Sequence, residues 1–339
     1  MSTQGHSVPP EDVLMQLLAG GKVALAVGCV TRLGIPDLVH GGPRSAEDLA
    51  GHIGAHAGAL YRLMRMTASV GVLSEGADGR FAETPMSDML RRDAPRSLRA
   101  WAVMCSESWV VRGWENLEHS VRTGETVMEK VTGKPAFEFF GSSPEAGAIF
   151  NDAMTSLSAM ESPAIASAYA FEGIRTVCDV AGGHGLLLAT ILQRHAHLTG
   201  TLYDLPGVVK GVPEGPLKPV LSRCTTASGD MFESVPQGLD AYIMKHIIHD
   251  WPDHLCVKIL KGCRQGINPG GKLLVADFVI PPGNDCVSGK VLDLEMLLFP
   301  GGMERTEKQF RDLFAAAGWR LSRVIPTTAE ISIVEGVPA

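Results

Sequence analysis

Thr176-Val177-Cys178-Asp179-Val180-Ala181-Gly182-Gly183-His184-Gly185 is the stretch from which the architecture follows. Thr176 to Val180 is a short β-branched run, the composition of a buried strand. Glycines follow at once. Leu186 to Arg194 is apolar and free of Gly and Pro, which predicts a helix. Strand, Gly-rich turn and helix make the opening unit of a doubly wound α/β domain, where ligands bind at the carboxyl ends of the strands. Glycines in such a turn let backbone amides approach a ligand, and the helix N-terminus favours negative charge.

Spacing narrows the ligand. A dinucleotide fingerprint GxGxxG starting at Gly182 needs glycines at 184 and 187, which are His184 and Leu187. The next strand ends in Asp204, and an acid about 20 residues beyond the glycine turn is placed to read ribose hydroxyls. The pattern points to a nucleoside-containing ligand without a pyrophosphate. The alternative is an ordinary strand–helix turn with a surface Asp.

Working outward, strands are expected at 176–180, 200–203, 241–244, 272–278, 320–325 and 330–334. The last two are joined by a short Pro-Thr-Thr turn and read as an antiparallel hairpin. The result is a largely parallel sheet with an antiparallel end. Before it, Met1 to Pro10 reads as a loose tail, and 11–33 has helical periodicity broken by Gly20-Gly21. Ser45-Ala46-Glu47-Asp48 resembles a capping box opening a helix to about Ile53. A helix at 57–70 and a hairpin at 72–83 complete a winged-helix outline. DNA binding is disfavoured, because acids and bases nearly balance there and the candidate recognition helix carries only Arg62 and Arg65; a dimerisation or substrate-covering module is favoured. Helices at 98–123 and 136–158 hold Trp101, Met104, Trp109, Trp114, Phe137, Phe139, Phe140, Phe150 and Met154, with Met160 just beyond. Such residues are packing material first, and their concentration also suits an apolar substrate pocket.

Composition sets the bounds. A chain of 339 residues, 45% hydrophobic and 20% charged, accommodates two domains. The net charge of -7 argues against non-specific nucleic-acid or acidic-membrane binding. No apolar run reads as long enough to cross a membrane, and the N-terminus lacks the regions of a signal peptide. Seven cysteines without a CxxC fit reduced thiols in a cytoplasm.

The residues that carry chemistry cluster at strand ends. Gly229-Asp230-Met231-Phe232 precedes the strand at 241–244 and pairs an acid with a thioether and an aromatic, a set suited to a purine or to an ordinary turn. That strand ends in Lys245, with His249 a turn later. Histidine accepts a proton near neutral pH, which brings a phenol within its reach. Asp277, at the end of the next strand, and Glu304, in Gly301-Gly302-Met303-Glu304-Arg305-Thr306, can orient that imidazole. A metal reading uses His246, His249, Asp250 and His254, without tight ligand spacing.

Asp-Val-Ala-Gly-Gly-His-Gly (179–185), Tyr-Asp-Leu-Pro (203–206), Gly-Asp-Met-Phe (229–232), His-Asp-Trp (249–251) and Gly-Gly-Met-Glu-Arg-Thr (301–306) follow one another in order and spacing. On these motifs nearly the whole chain resembles the class I S-adenosylmethionine-dependent O-methyltransferases of the caffeic-acid and hydroxyindole type. The resemblance implies an α/β, Rossmann-like class I methyltransferase domain with an antiparallel terminal strand. A mainly α-helical, winged-helix-like dimerisation domain precedes it. The implied division is 1–105 and 106–339, with pocket and linker helices at 106–172 and the Rossmann-like core at 173–339. It implies S-adenosylmethionine as methyl donor, S-adenosylhomocysteine as product, and a homodimer acting on a small aromatic hydroxyl compound in the cytoplasm, without nucleic acid, membrane or metal. Asp179, Gly182, Gly183, Asp204, Leu205, Asp230, Met231, Phe232 and Lys245 would hold the cofactor. His249 would be the general base, with Asp277 and Glu304 holding it. Met154, Asp250, Trp251 and Met296 would line the acceptor site.

Three departures bear on that resemblance. Ala181 replaces a usual glycine, Asp277 stands where plant members often have Glu, and the segment 296–301 is one residue shorter than in plant relatives. Plant substrates therefore do not transfer. Two other readings are carried alongside: the same fold turned to hydroxylation or decarboxylation, which the retained His249 and both acids disfavour, and a non-catalytic regulatory protein.

Overall fold

Alternation of buried residues explains the central sheet. In the computed structural model, residues 9–210 and 215–339 are described. The expected tail at 1–10 therefore lies, for residues 1–8, outside them. The chain divides into two compact units. One takes the chain up to Arg112 together with Pro144–Ser156, and the other takes Gly113–Ser143 and Leu157–Ala339.

The first unit begins with the helix Pro10–Arg32, which is continuous. Gly20-Gly21 does not break it: glycine lowers helix propensity by about 1 kcal/mol without terminating a helix, and among the described residues nothing lies within 4 Å of a Cβ placed on either glycine. Uninterrupted, the helix is long and apolar enough to cross a membrane by length and composition, which corrects the expectation drawn from its two halves. Leu14, Met15, Leu17 and Leu18 on it are exposed in the single chain. The helix Ala46–Ile53 is capped by Ser45, whose side chain accepts the Asp48 N–H, and the helix Ala57–Ser69 follows. The hairpin of β1 (Ser74–Glu75) and β2 (Phe81–Ala82) completes the winged-helix outline around Val30, Ile35, Leu49, Met64 and Phe81. The region expected as one helix at 98–123 is three: Arg99–Met104, Ser108–Glu115 and Leu117–Thr123.

The second unit carries a seven-stranded sheet of β3 (Thr176–Val180), β4 (Thr199–Asp204), β5 (Cys224–Ser228), β6 (Leu239–Lys245), β7 (Ile267–Asp277), β8 (Trp319–Pro326) and β9 (Ser332–Pro338). Their order is β5-β4-β3-β6-β7-β9-β8. The first five are parallel and β9 is antiparallel to both of its neighbours. Alternate residues of each central strand serve opposite layers. Val177, Ile243 and Leu274 pack one face, while Cys178, Tyr242, Met244 and Leu273 pack the other. This two-sided burial is what parallel strands require. Sequence missed β5 because Cys-Thr-Thr-Ala-Ser is a polar, largely exposed edge strand. The chain leaves β3 toward the β5 edge and returns to β6 on its other side. The switch point, where a ligand crevice opens, therefore lies at the carboxyl ends of β3 and β6.

Candidate active site

The loop after β3 is shaped for close approach. Ala181 adopts φ +55°, a left-handed conformation that explains why glycine is usual at this place. Its N–H donates to the Tyr203 carbonyl at 2.7 Å. A Cβ on Gly182 would lie 2.5 Å from the Asp179 carboxylate and 2.6 Å from Leu202, so only glycine fits. Asp204, at the end of β4, accepts from the N–H groups of Gly183 at 2.8 Å and Leu205 at 2.7 Å. These bonds fix the carboxylate and leave each oxygen a lone pair for hydroxyl groups. Burial raises the Asp204 pKa, and the two N–H groups oppose it. Asp179 is buried with Oδ2 unpartnered, and burial pushes its pKa up to about 7. An orphaned carboxyl oxygen beside a cradle that a Cβ would fill suits a ligand with an ammonium group and ribose hydroxyls.

Beyond β5, the Asp230 side chain accepts the Phe232 N–H at 2.8 Å and holds Met231 and Phe232 half-buried. Phe232 meets Trp251 edge-to-face with centroids 4.8 Å apart, and Phe137 stacks on Trp251 at 5.2 Å. Lys245, closing β6, pairs with Glu161 at 3.2 Å.

His249 sits on the 3-10 turn Ile248–Asp250, just past β6. Its Nδ1 lies 2.5 Å from Glu304 Oε1, and both side chains are buried. Burial, with Asp293 adding to it, pushes the Glu304 carboxyl up to about 8. Asp293 also accepts the Glu304 N–H at 2.8 Å. The turn 301–306 grips the base from two sides. A Cβ on Gly302 would fall 1.9 Å from the His249 carbonyl oxygen, and the Met303 N–H donates to that oxygen at 2.9 Å. Arg305, 1% exposed, donates to the carbonyls of Ile248 at 2.8 Å and Trp251 at 2.9 Å and pairs with Asp253 at 2.7 Å. The His249 turn is thus stapled at both ends.

Asp277 differs from the expectation that it holds His249. Its Oδ1 accepts the backbone N–H of His246 at 2.9 Å and lies 3.8 Å from the His246 ring, while Glu304 alone hydrogen-bonds the His249 ring among the described residues. One methylene shorter than Glu, it reaches the neighbour's backbone instead. Burial pushes Asp277 and Asp250 each up to about 7, and Asp250 Oδ1 lies 3.5 Å from His249 Nε2. The four residues of the metal reading do not assemble. His254 is exposed on the helix Asp253–Gly266, and the ligand atoms that come within 4.8 Å of one another belong to His246, His249 and Asp277.

Asp179, Gly182, Gly183, Asp204, Leu205, Asp230, Met231, Phe232, Lys245, His249, Asp250, Trp251, Asp277 and Glu304 all lie at or just beyond strand ends of one unit or on the 301–306 turn. Met296 is buried on the helix Val287–Leu298 of the same unit. Met154 lies on the helix Pro144–Ala168, within the part assigned to the first unit. Sequence reasoning missed Glu161 and Asp293. The available signal was a lone acid, Glu161, in a stretch of apolar and small residues, and an Asp293–Glu295 pair in a largely apolar helix. It quoted Arg305 without a role.

Comparison with known proteins gives the lineage of this site. An O-methyltransferase domain model matches residues 114–320, and an O-methyltransferase dimerisation domain model matches residues 15–93. The chain is 39% identical to the phenazine O-methyltransferase PhzM of Lysobacter antibioticus, over 99% of each. It is 37% identical to the mitomycin biosynthesis 6-O-methyltransferase of Streptomyces lavendulae, over 96% of this chain and 94% of that one. Among solved structures, the SAH-bound form of CalO1, a methyltransferase in calicheamicin biosynthesis, superposes with a TM-score of 0.87 at 32% identity, covering 98% of this chain and 100% of that one.

Proposed function

The chain belongs to the O-methyltransferase family and uses S-adenosylmethionine, and from that premise we propose that it methylates a phenolic or enolic hydroxyl of a small aromatic molecule with His249 as general base and without a metal. The observation that carries this reading is the buried His249–Glu304 pair at the same sheet edge as the Gly182–Asp204 cradle. In its ionised form Glu304 accepts the Nδ1 proton, and the Nε2 lone pair of His249 then faces the acceptor. The bound cofactor supplies an electrophilic methyl group on a sulfonium and departs neutral.

His249 Nε2 takes the proton from the acceptor hydroxyl, and the imidazolium so formed is neutralised by the Glu304 carboxylate. Most of the acceleration comes from holding the acceptor oxygen in line, with the base adding roughly 10²–10⁴-fold. Asp179, Gly182, Gly183, Asp204 and Leu205 hold the methionyl and ribose parts, and Asp230, Met231, Phe232 and Lys245 the adenine end. Asp250, Trp251 and Met296 shape the acceptor site. The enzyme acts as a cytoplasmic homodimer. The match to a dimerisation domain and the exposed leucines of the helix Pro10–Arg32 support a partner copy over that helix rather than a membrane.

Incubation with methyl-labelled S-adenosylmethionine and a panel of phenols, catechols, flavonoids and hydroxyquinones, with EDTA present, tests the reading. Labelled methyl ether on a panel member is expected. Cofactor binding without transfer to any hydroxyl contradicts it, as does transfer that EDTA abolishes.

A further inference from the structure

Glu161 enters none of the motifs, yet it stands among the charged groups of the site. It lies near the end of the helix Pro144–Ala168, within the second unit. Both of its oxygens are 3.0 Å from His246 Nε2, and Oε2 is 3.2 Å from Lys245 Nζ. Burial works against its charge, but His246 and Lys245 outweigh burial and hold the carboxyl down to about 2. An ionised carboxylate can only accept, so His246 Nε2 carries the hydrogen and Nδ1 is left as a lone pair. The ring itself stays neutral, because burial first and then the Lys245 ammonium push its pKa down to about 4.

The His246 ring lies on the His249 ring, with centroids 4.8 Å and planes 29° apart. Its backbone is held at φ +54°, a left-handed conformation that a side chain with a Cβ disfavours. Asp277 secures that conformation by accepting the His246 N–H. A strained residue fixed by a buried acid, directly against the base, is the pattern in which strain accompanies function.

We propose that Glu161 and His246 form a second carboxylate–imidazole dyad, stacked on Glu304–His249, which positions the base and tunes its strength. The proposal rests on the reading of His249 as the base. Around that ring stand Glu304 from the 301–306 turn, backed by Asp293, and Asp250 from its own turn. His246 stands at the end of β6 and Asp277 at the end of β7, while Arg305 holds the carbonyls of the turn. Lys245 and Glu161 lie behind His246 and form an ion pair. Of these groups, His246 covers a face of the base. A carboxylate-bound imidazole is polarised toward its ring, and an electron-rich ring face favours the cation that His249 becomes on taking a proton. His246 and Glu161 are positioning residues in this account, and Asp277 acts through His246.

Glu161→Gln removes the charge, and His246→Phe keeps a stacked ring without the polarising bond. With the acceptor identified for the wild type, each should move the acid limb of the kcat/KM pH profile down by about 0.5 unit or more, lower the plateau, and leave KM for S-adenosylmethionine within about twofold. A purely structural role would lower the rate equally at every pH. A limb that stays in place in Glu161→Gln therefore overturns the proposal, even if His246→Phe fails to fold. A wild-type enzyme with no acid limb at all would instead remove the reading of His249 as base, and the proposal with it.

Discussion

Replacing Glu304 by Gln changes one atom of a buried pair and removes the charge that the carboxyl carries when ionised. The carboxylate accepts the His249 Nδ1 hydrogen at 2.5 Å, with both groups sealed from water. A hydrogen bond to a charged group is worth about 1.5–3 kcal/mol, and about 1.4 kcal/mol is tenfold in rate, so losing the charge costs roughly 10- to 150-fold in kcat. The amide adds a second loss. If its NH2 faces Nδ1, the imidazole hydrogen moves to Nε2 and the lone pair turns away from the acceptor. The combined expectation is a fall of about 10²–10³ in kcat, with cofactor Kd unchanged within about twofold. Single-turnover transfer of labelled methyl at saturating acceptor, with cofactor titration calorimetry beside it, separates the two quantities. The substitution also has a stability signature. The folded-state pKa of Glu304 is raised to about 8, so the stability linked to it is complete below about pH 4 and lost as pH rises through about 8. Gln does not ionise, so the variant should resist urea better than wild type at pH 8, by up to about 4 kcal/mol, and no better at pH 4. A kcat within about threefold of wild type would refute the reasoning about the dyad, whatever the stability result.

Gly302→Ala should cost about 1–3 kcal/mol in urea denaturation and lower kcat more than it changes cofactor affinity, because its Cβ would strike the His249 carbonyl. Asp204→Ala should weaken S-adenosylmethionine binding by about tenfold or more in calorimetry, since it leaves the Gly183 and Leu205 N–H groups without their acceptor. Asp277→Asn should flatten the pH dependence of stability. With its pKa raised to about 7, wild-type Asp277 gives up stability as pH climbs from about 4 through about 7, and an amide there has nothing to lose. Unfolding midpoints across that range should therefore fall more steeply for wild type than for the variant.

The fold was legible wherever pattern and burial agree. The run Thr176–Val180 and the helix Leu186–Arg194 lie where β-branched and apolar residues place them. The edge strand β5 was not legible, because Cys224–Ser228 has no large apolar residue to mark a buried face. The helix Pro10–Arg32 was misread because a pair of glycines looks like a break when tertiary context is absent. At the site, local turns reveal residues that act through backbone spacing, such as Gly182 and Asp204. Partners that meet across the fold leave little trace. Glu161 and His246 are separated by 85 residues, and Asp293 reaches the Glu304 backbone from a largely apolar helix in which Glu295 is an equally plausible acid. Asp277 shows the same limit. Its place at the end of β7 follows from the sequence, but which histidine it serves depends on side-chain length and on the conformation of His246.

The central claim is that His249 takes the acceptor's proton. Single-turnover methyl transfer by a His249→Ala enzyme, saturated with cofactor and with the acceptor that the wild type prefers, tests it most directly. The account predicts a loss of about 10²–10⁴ in the rate of transfer with cofactor binding intact. Transfer at the wild-type rate would contradict it and leave alignment alone to explain catalysis.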